Sequence, residues 1–165
     1  MIYVFLNLMS KEKMRVGNSY DLHNLKMGTG FYLGGILIPC QYQVEAVSDG
    51  DILLHTISEA IIGALGLGDL GEWFDETNKK INSQLILKKA LTLMAEQNYQ
   101  ISNIDTTIII DEPRLQKHKK AIKTNLQKLL QISAEKINLK ATTTEQNFPN
   151  IIQSYTTLLL LKEND

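Results

Sequence analysis

The sequence has few of the residues that crosslink or anchor small proteins. Among its 165 residues there is one cysteine, Cys40, so no disulfide can form within the chain and no zinc site can be built from cysteines alone. No apolar run approaches the roughly 20 residues of a membrane helix. The formal net charge is −1, with lysines and arginines scattered, which excludes a basic stripe for nucleic acid. We therefore expect a cytoplasmic protein with a small-molecule partner, no nucleic acid and no membrane.

The length and the composition fit one domain. A 44% hydrophobic content is enough for a core in a chain of this size. The first thirteen residues, "MIYVFLNLMSKEK", carry an apolar patch but neither a preceding basic region nor a cleavage site of small residues, so they make a poor secretory signal. We predict an N-terminal extension at 1–13 and a single domain at 14–165. If the extension belongs to a targeting leader, the compartment is a plastid.

The apolar patterns predict alternating strands and helices. Strands are expected at 14–23, 31–40, 101–111, 137–144 and 151–162, and helices at 52–67, 82–99 and about 114–131. Gly34 and Gly35 indicate a bulge in the second strand or a close backbone approach there, and this strand should pair with the first as a ribbon. Gly63 indicates a close neighbour of the first helix. This order favours an α/β (α+β) sandwich, with a mixed four-stranded sheet covered by helices on one face, a β-ribbon and a ferredoxin-like topology.

An acid and two histidines form a candidate metal site. Asp21 and His23 are two residues apart in a predicted strand and so point to the same face. His55 lies in the first predicted helix. Three nitrogen and oxygen ligands from two elements would leave a fourth tetrahedral position open, as in catalytic zinc sites. Each part also has a simpler interpretation, since Asp21 suits a polar turn and His55 suits a hydrogen-bonded position in the core. His118, flanked by lysines, is interpreted as solvated surface.

The segment "KATTTEQN" is a second candidate site. Thr142 and Glu145 match a helix-capping box. Pro149 leaves room for only a brief helical turn, however, and three threonines after Lys140 offer hydroxyl and amide donors for an anion. Glu145 could then hold a hard divalent cation. Two weaker signals are the glycine-rich loop 66–77, which contains Asp69 and could equally be a simple C-cap and turn, and the turn "IDEPRL" at 110–115.

Taken in order, these segments resemble one enzyme family, the 2-C-methyl-D-erythritol 2,4-cyclodiphosphate synthases of non-mevalonate isoprenoid biosynthesis. The resemblance rests on "RVGNSYDLH", "LGGILIP", "SDGDILLH", "LGDLGEWF", "NIDTTIII" followed by "EPR", and "INLKATTTE". It covers nearly everything from Met14 to Lys162.

The resemblance implies roles for particular residues. Asp21, His23 and His55 would bind zinc, Glu145 would hold a second divalent cation, usually magnesium in the family, and Thr143 would contact phosphate. Ser48, Thr143 and Glu145 would form the catalytic set. The substrate-binding set would be Asp69, Leu70, Gly71, Phe74, Asp75, Glu76, Ile110, Pro113, Arg114, Leu115, Gln116, Thr142, Thr143, Thr144 and Phe148, with Asp69 and Gly71 at the ribose and 110–116 around the cytosine.

The resemblance also implies a reaction and an assembly. The family is a phosphorus–oxygen lyase that cyclises 4-diphosphocytidyl-2-C-methyl-D-erythritol 2-phosphate and releases CMP. It works as a homotrimer whose active sites lie between subunits. No protein nucleophile is required, which suits a sequence without a Ser-His-Asp or Cys-His arrangement.

Several positions depart from the family pattern. Val47 replaces a phosphate-contacting histidine, and loss of such a donor costs about 10²–10³ in rate in comparable sites. The glycine-rich segment with an arginine that normally follows "TTTE" is shortened to "QNFPNI", while Asn18, Glu76 and Asn78 are milder changes. Two alternatives therefore stay open: a catalytically weak trimer that binds zinc and a cytidine nucleotide, and a zinc phosphoesterase that uses water.

Overall fold

The computed structural model describes residues 14–46, 48–73 and 82–163. Val47, Phe74, Asp75, Glu76 and Asn78 lie outside the described residues. The strands are β1 (Met14–Met27), β2 (Phe31–Leu33), β3 (Ile36–Ile38), β4 (Tyr42–Val44), β5 (Tyr99–Ile110), β6 (Ile137–Thr142) and β7 (Ile151–Lys162). The helices are α1 (Ile52–Leu65), α2 (Leu70–Trp73), α3 (Ser83–Glu96) and α4 (Lys119–Leu130), with a 3₁₀ turn at Ala134–Lys136. None of these helices is long and apolar enough to cross a membrane.

One mixed sheet organises the molecule, and the predicted α/β sandwich is confirmed. The strand order is β4-β1-β7-β5-β6. Neighbouring strands are antiparallel except β5 and β6, which run parallel and are joined through α4. The fifth strand, β4, was not predicted because three residues are too few to show alternation. It pairs with the last residues of β1, Leu25 to Met27.

The helices cover one face of this sheet. Along β7 the even-numbered residues from Ile152 to Leu160 are buried and Tyr155 and Thr157 between them are exposed, so one side of the strand meets the helices and the other is open. Helix α1 lies at the centre of the covered side, and eleven of its fourteen residues are buried. The side chain of Asp51 caps its N-terminus, and Gly66 ends it in a left-handed conformation at φ 72°.

The close approach of α1 to the sheet occurs at Gly17, and the expectation for Gly63 is wrong. A Cβ on Gly17 would lie 1.9 Å from the Ala60 carbonyl oxygen, whereas a Cβ on Gly63 would have nothing within 4 Å among the described residues. The residue without a side chain is therefore needed on the strand and not on the helix.

The ribbon is formed differently from the prediction. Segment 31–40 is not a bulged strand paired with β1; it folds back on itself so that β2 pairs with β3. Gly34 and Gly35 form the two-residue turn with φ of 62° and 75°, which favours glycine at both positions. Their N–H groups donate to Asp51 at 2.8 and 2.6 Å, so the ribbon is tied to the start of α1.

Candidate functional site

Asp21, His23 and His55 come together between strand β1 and helix α1. Asp21 and His23 occupy alternate positions on the helix-covered side of β1, and His55 follows one turn after the cap of α1. His23 Nε2 lies 3.3 Å and His55 Nδ1 lies 3.8 Å from the same oxygen, Asp21 Oδ2. The exposed fraction of the side chain is 20% for His23, 31% for His55 and 22% for Asp21. The cluster is thus half-buried and reachable from solvent.

The Asp21 carboxylate lacks part of its hydrogen bonding. Oδ2 is buried and has no regular hydrogen-bond partner among the residues that the structure describes, while Oδ1 accepts the Leu22 N–H at 2.7 Å. Burial raises the pKa of Asp21, but contact with His23, the charge of His55 and the Leu22 N–H outweigh burial and leave that pKa lowered. The carboxylate is therefore ionised at neutral pH and one of its buried oxygens is unsatisfied.

These donors fit a zinc ion in type, and their two distances to Asp21 approach the spacing of zinc ligands. Tetrahedral ligands at about 2.1 Å from zinc lie roughly 3.4 Å apart, which is close to the measured 3.3 and 3.8 Å. In segments 14–46, 48–73 and 82–163, no group of three or more His, Cys, Asp or Glu side chains is arranged so that it could hold a metal ion as it stands. The fit consequently rests on the two distances to Asp21 and on the unsatisfied oxygen.

A buried group of hydroxyls fixes α1 next to this cluster. Thr56, the neighbour of His55, bonds Ser154 Oγ at 2.8 Å and Thr156 Oγ1 at 2.9 Å. Ser154 is the β7 partner of Asp21. Because all three hydroxyl residues are at most 1% exposed, these bonds are shielded from water and set the position of the helix against the sheet. We did not predict this group; hydroxyls at alternate positions of an aliphatic strand are the signal in the sequence.

The threonine segment forms a turn, and no helix of the described residues starts there. Strand β6 ends at Thr142, and Glu145 and Gln146 both adopt left-handed conformations, with φ of 53° and 62°. Thr143 Oγ1 donates to Glu145 Oε1 at 2.6 Å. The capping-box interpretation is therefore wrong. Lys140 does not join the turn either, since its ammonium pairs with Asp105 at 2.8 Å.

Asp111, which we predicted only as part of the 110–116 segment and not as a contact of this turn, anchors the turn. Its Oδ1 accepts the Thr144 N–H at 2.8 Å and its Oδ2 accepts the Thr144 hydroxyl. The pKa of Asp111 is lowered, most strongly by the hydrogen bond from the Thr144 hydroxyl. Burial raises this pKa by less than that bond lowers it, and the N–H groups of Thr144 and Gln146 and the charge of Arg114 lower it further. The signal in the sequence is an Asp at the end of a β-branched strand, where a turn begins.

The predicted cytosine residues and the threonines share a small cavity. It measures about 140 Å³ and is lined by Ile110, Arg114, Leu115, Gln116, Ala141, Thr142 and Thr143. The Ile110 and Leu115 side chains are buried, so these two residues can offer a ligand mainly backbone groups. The peptide bond before Pro113 is cis. His118, beyond this loop, is half-buried and not fully solvated: burial first, and Lys117 second, lower its pKa.

A larger cavity also borders the turn. It measures about 470 Å³, and Asp111, Arg114, Thr143 and Glu145 are among its lining residues. Neither of these two cavities is lined by Asp21, His23 or His55. Within one chain, the candidate zinc ligands and the candidate phosphate turn therefore face different spaces.

The remaining predicted residues are scattered around these features. Asp69 precedes α2, and its Oδ1 accepts the Glu72 N–H at 3.3 Å. Of the next two residues, Leu70 is buried and Gly71 is exposed. Ser48 precedes α1 and its Oγ accepts the Gly50 N–H at 3.2 Å. Phe148 is 64% exposed beyond the turn. Ser48 and Asp69 thus lie just before the N-termini of α1 and α2, and Phe148 lies between β6 and β7.

Known proteins match the chain in sequence and in fold. The model of the YgbB family matches residues 14–160. A 2-C-methyl-D-erythritol 2,4-cyclodiphosphate synthase of Fusobacterium nucleatum is 43% identical over 157 residues, which cover 91% of this chain and 98% of the relative. The chloroplastic synthase of Arabidopsis thaliana is 41% identical over 90% of this chain and 68% of its own length. The Plasmodium falciparum IspF structure in complex with CDP superposes with a TM-score of 0.84 at 32% identity, covering 94% of this chain and all (100%) of that one.

Proposed function

Because the chain belongs to the YgbB family of 2-C-methyl-D-erythritol 2,4-cyclodiphosphate synthases, we propose that it cyclises 4-diphosphocytidyl-2-C-methyl-D-erythritol 2-phosphate and releases CMP. The 2-phosphate of the substrate attacks its own β-phosphorus, so the chain acts as a phosphorus–oxygen lyase and needs no nucleophile of its own. The single observation that carries the proposal is the convergence of His23 and His55 on one oxygen of Asp21. The place of action is the cytoplasm, or a plastid as the name of the Arabidopsis relative states for that protein.

Asp21, His23 and His55 would hold zinc through Oδ2, Nε2 and Nδ1. A bound divalent cation supplies positive charge that offsets repulsion between the two phosphates and helps to fix their in-line geometry. The chain itself contributes a rigid frame. Thr56 holds α1 against β7 beside His55, and the Leu22 N–H orients the Asp21 carboxylate.

The threonine turn would contact the diphosphate. Thr143 presents a hydroxyl beside the Glu145 carboxylate, which would hold the second cation, magnesium. Arg114 lines the same cavities as Thr143, and its guanidinium would pair with the diphosphate there. The backbone groups of 110–116 would surround the cytosine, while Asp69 and Gly71 would contact the ribose.

A homotrimer would bring the two halves of the site together. On the open sheet face Val16 is 68%, Tyr20 47%, Leu22 42% and Tyr155 46% exposed, and the Tyr20 and Tyr155 rings lie 4.5 Å apart. An apolar face of this kind favours burial against another subunit. Since the zinc ligands and the phosphate turn face different spaces in one chain, a neighbouring chain would supply the turn for each zinc site.

The direct test is to incubate the purified protein with the cytidine-linked substrate, zinc and magnesium and to follow the products by phosphorus NMR. The proposal expects the cyclic diphosphate and CMP, and their absence from an Asp21→Ala variant. CMP without a ring, or a linear product with inorganic phosphate, would support the phosphoesterase. No product from either protein, with CDP still bound, would support the weak binding trimer, which the replacement of a family histidine by Val47 favours.

Zinc content separates the metal proposal from the reaction. We expect about one zinc per chain, lost in His23→Ala and in His55→Ala. The matched control is His118→Ala, which removes the third histidine of the chain at a position outside the cluster. Equal zinc content in all four proteins would refute the assignment of these ligands.

A further inference from the structure

The turn that carries Glu145 is held in a conformation that its own residues do not favour. Glu145 and Gln146 are consecutive, neither is glycine, and both have positive φ. Such backbone conformations persist only when surrounding contacts over-determine them. The contacts that hold this turn therefore decide where the Glu145 carboxylate points.

Asp111 supplies the contact from outside the turn. Both of its carboxylate oxygens accept hydrogen bonds from Thr144, one from the backbone N–H and one from the hydroxyl. Thr144 in turn accepts the Phe148 N–H on its hydroxyl at 3.2 Å and the Asn147 N–H on its carbonyl at 3.1 Å. One side chain at the end of β5 thus fixes the residue from which the rest of the turn is built.

We propose that Asp111 is a positioning residue that holds the Thr143–Glu145 turn in its cation-binding conformation. The inference rests on the proposed function, because it assigns Asp111 to the second-cation site and not to the zinc cluster.

The structure links the same residue to the nucleotide side. Asp111 is followed by Glu112, Pro113 and Arg114. Its side chain lines the 470 Å³ cavity together with Arg114 and Glu145. Asp111 therefore connects the loop expected at the cytosine with the turn expected at the diphosphate. Loss of its carboxylate should weaken the cation site and leave the zinc ligands, which lie elsewhere, unchanged.

The test uses the full chain with Asp111→Asn, Asp111→Ala, Thr144→Val and the double variant Asp111→Ala/Thr144→Val. Manganese serves as the probe of the magnesium site, with binding measured by electron paramagnetic resonance of the zinc-loaded protein. Amide hydrogen exchange at Thr144 and Gln146 reports the turn itself. Glu135→Gln is the control, because Glu135 is an exposed carboxylate that, like half-buried Asp111, accepts a hydrogen bond from a nearby hydroxyl, that of Ser133.

We expect Asp111→Ala to weaken manganese binding about tenfold, as a turn that is correctly folded only a tenth of the time would. Exchange of both amides should rise toward the rate of an unprotected amide. Zinc content should be unchanged. The double variant should be no worse than Asp111→Ala, since both changes remove the same contact. Unchanged manganese affinity in Asp111→Ala, with or without faster exchange, would overturn the proposal. If wild-type protein formed no cyclic product, the proposed function would fail, yet manganese binding and exchange would still decide the role of Asp111.

Discussion

Gly17 lies where strand β1 crosses helix α1, and a methyl group there has no space. The added Cβ would stand 1.9 Å from the Ala60 carbonyl oxygen, 2.8 Å from its carbon and 2.9 Å from the Ala64 Cβ. Two of these atoms are backbone, so no side chain can rotate away. To restore an ordinary contact of 3.4 Å, strand and helix must separate by about 1.5 Å.

The expected cost of Gly17→Ala follows from that separation. Overpacking a well-filled core usually costs about 1–3 kcal/mol, and we expect the upper end because the clash is with backbone. With a slope of about 2 kcal/mol per molar urea, the unfolding midpoint should fall by roughly 1.5 M. The same shift separates Asp21 from His55, whereas metal–ligand distances tolerate only about 0.2 Å, so zinc content should fall as well.

Gly63→Ala is the matched control, with the opposite sign. Nothing among the described residues lies within 4 Å of its added Cβ, and replacing glycine by alanine inside a helix stabilises by about 0.5–1 kcal/mol. Urea unfolding at one protein concentration and zinc analysis measure both variants. A Gly17→Ala protein with the midpoint and the zinc content of the wild type would refute the packing argument.

Two further predictions concern buried polar groups. Burial raises the pKa of the Asp51 carboxyl to about 6, although the N–H groups of Gly35, Leu54 and Gly34 donate to it and oppose the rise. The folded state therefore binds this proton more tightly than the unfolded state. The resulting stabilisation is present at pH 4 and is lost as the pH rises through 6. The difference in unfolding free energy between wild type and Asp51→Asn should shrink across this window by on the order of 1 kcal/mol per pH unit, and a difference that grows would show that the N–H groups dominate. Thr56→Val should lower the free energy of unfolding by about 2 kcal/mol, because it leaves the buried Ser154 hydroxyl without this partner. Urea unfolding curves should show part of the loss restored in the double variant Thr56→Val/Ser154→Ala. Equal midpoints for wild type and Thr56→Val would contradict the role of the buried hydroxyls.

The reach of sequence reasoning can be seen in particular residues. The two-residue spacing of Asp21 and His23 placed both on one face of a strand, and the structure agrees. The family was identified from ordered motifs, and the match over residues 14–160 confirms it. At Gly34 and Gly35 the expected bulge was wrong, because two adjacent glycines in an apolar run are compatible with a bulge or with a turn, and only strand pairing distinguishes them. The alternative expectation of a close approach agrees with the structure, since a Cβ on Gly34 would lie 2.8 Å from the Ile122 side chain.

Local patterns by themselves determined the kinds of element in this chain and the donor atoms it offers, since side-chain periodicity and ligand chemistry are properties of short segments. Tertiary structure decided which distant residues meet: His55 reaches Asp21 across 34 positions, Ser154 reaches Thr56 across 98, and Asp111 reaches Thr144 across 33. Such contacts depend on how strands pair and how closely a helix can approach a sheet. That approach is set here by the absence of a side chain at Gly17, a requirement that becomes visible only when Ala60 is placed opposite it.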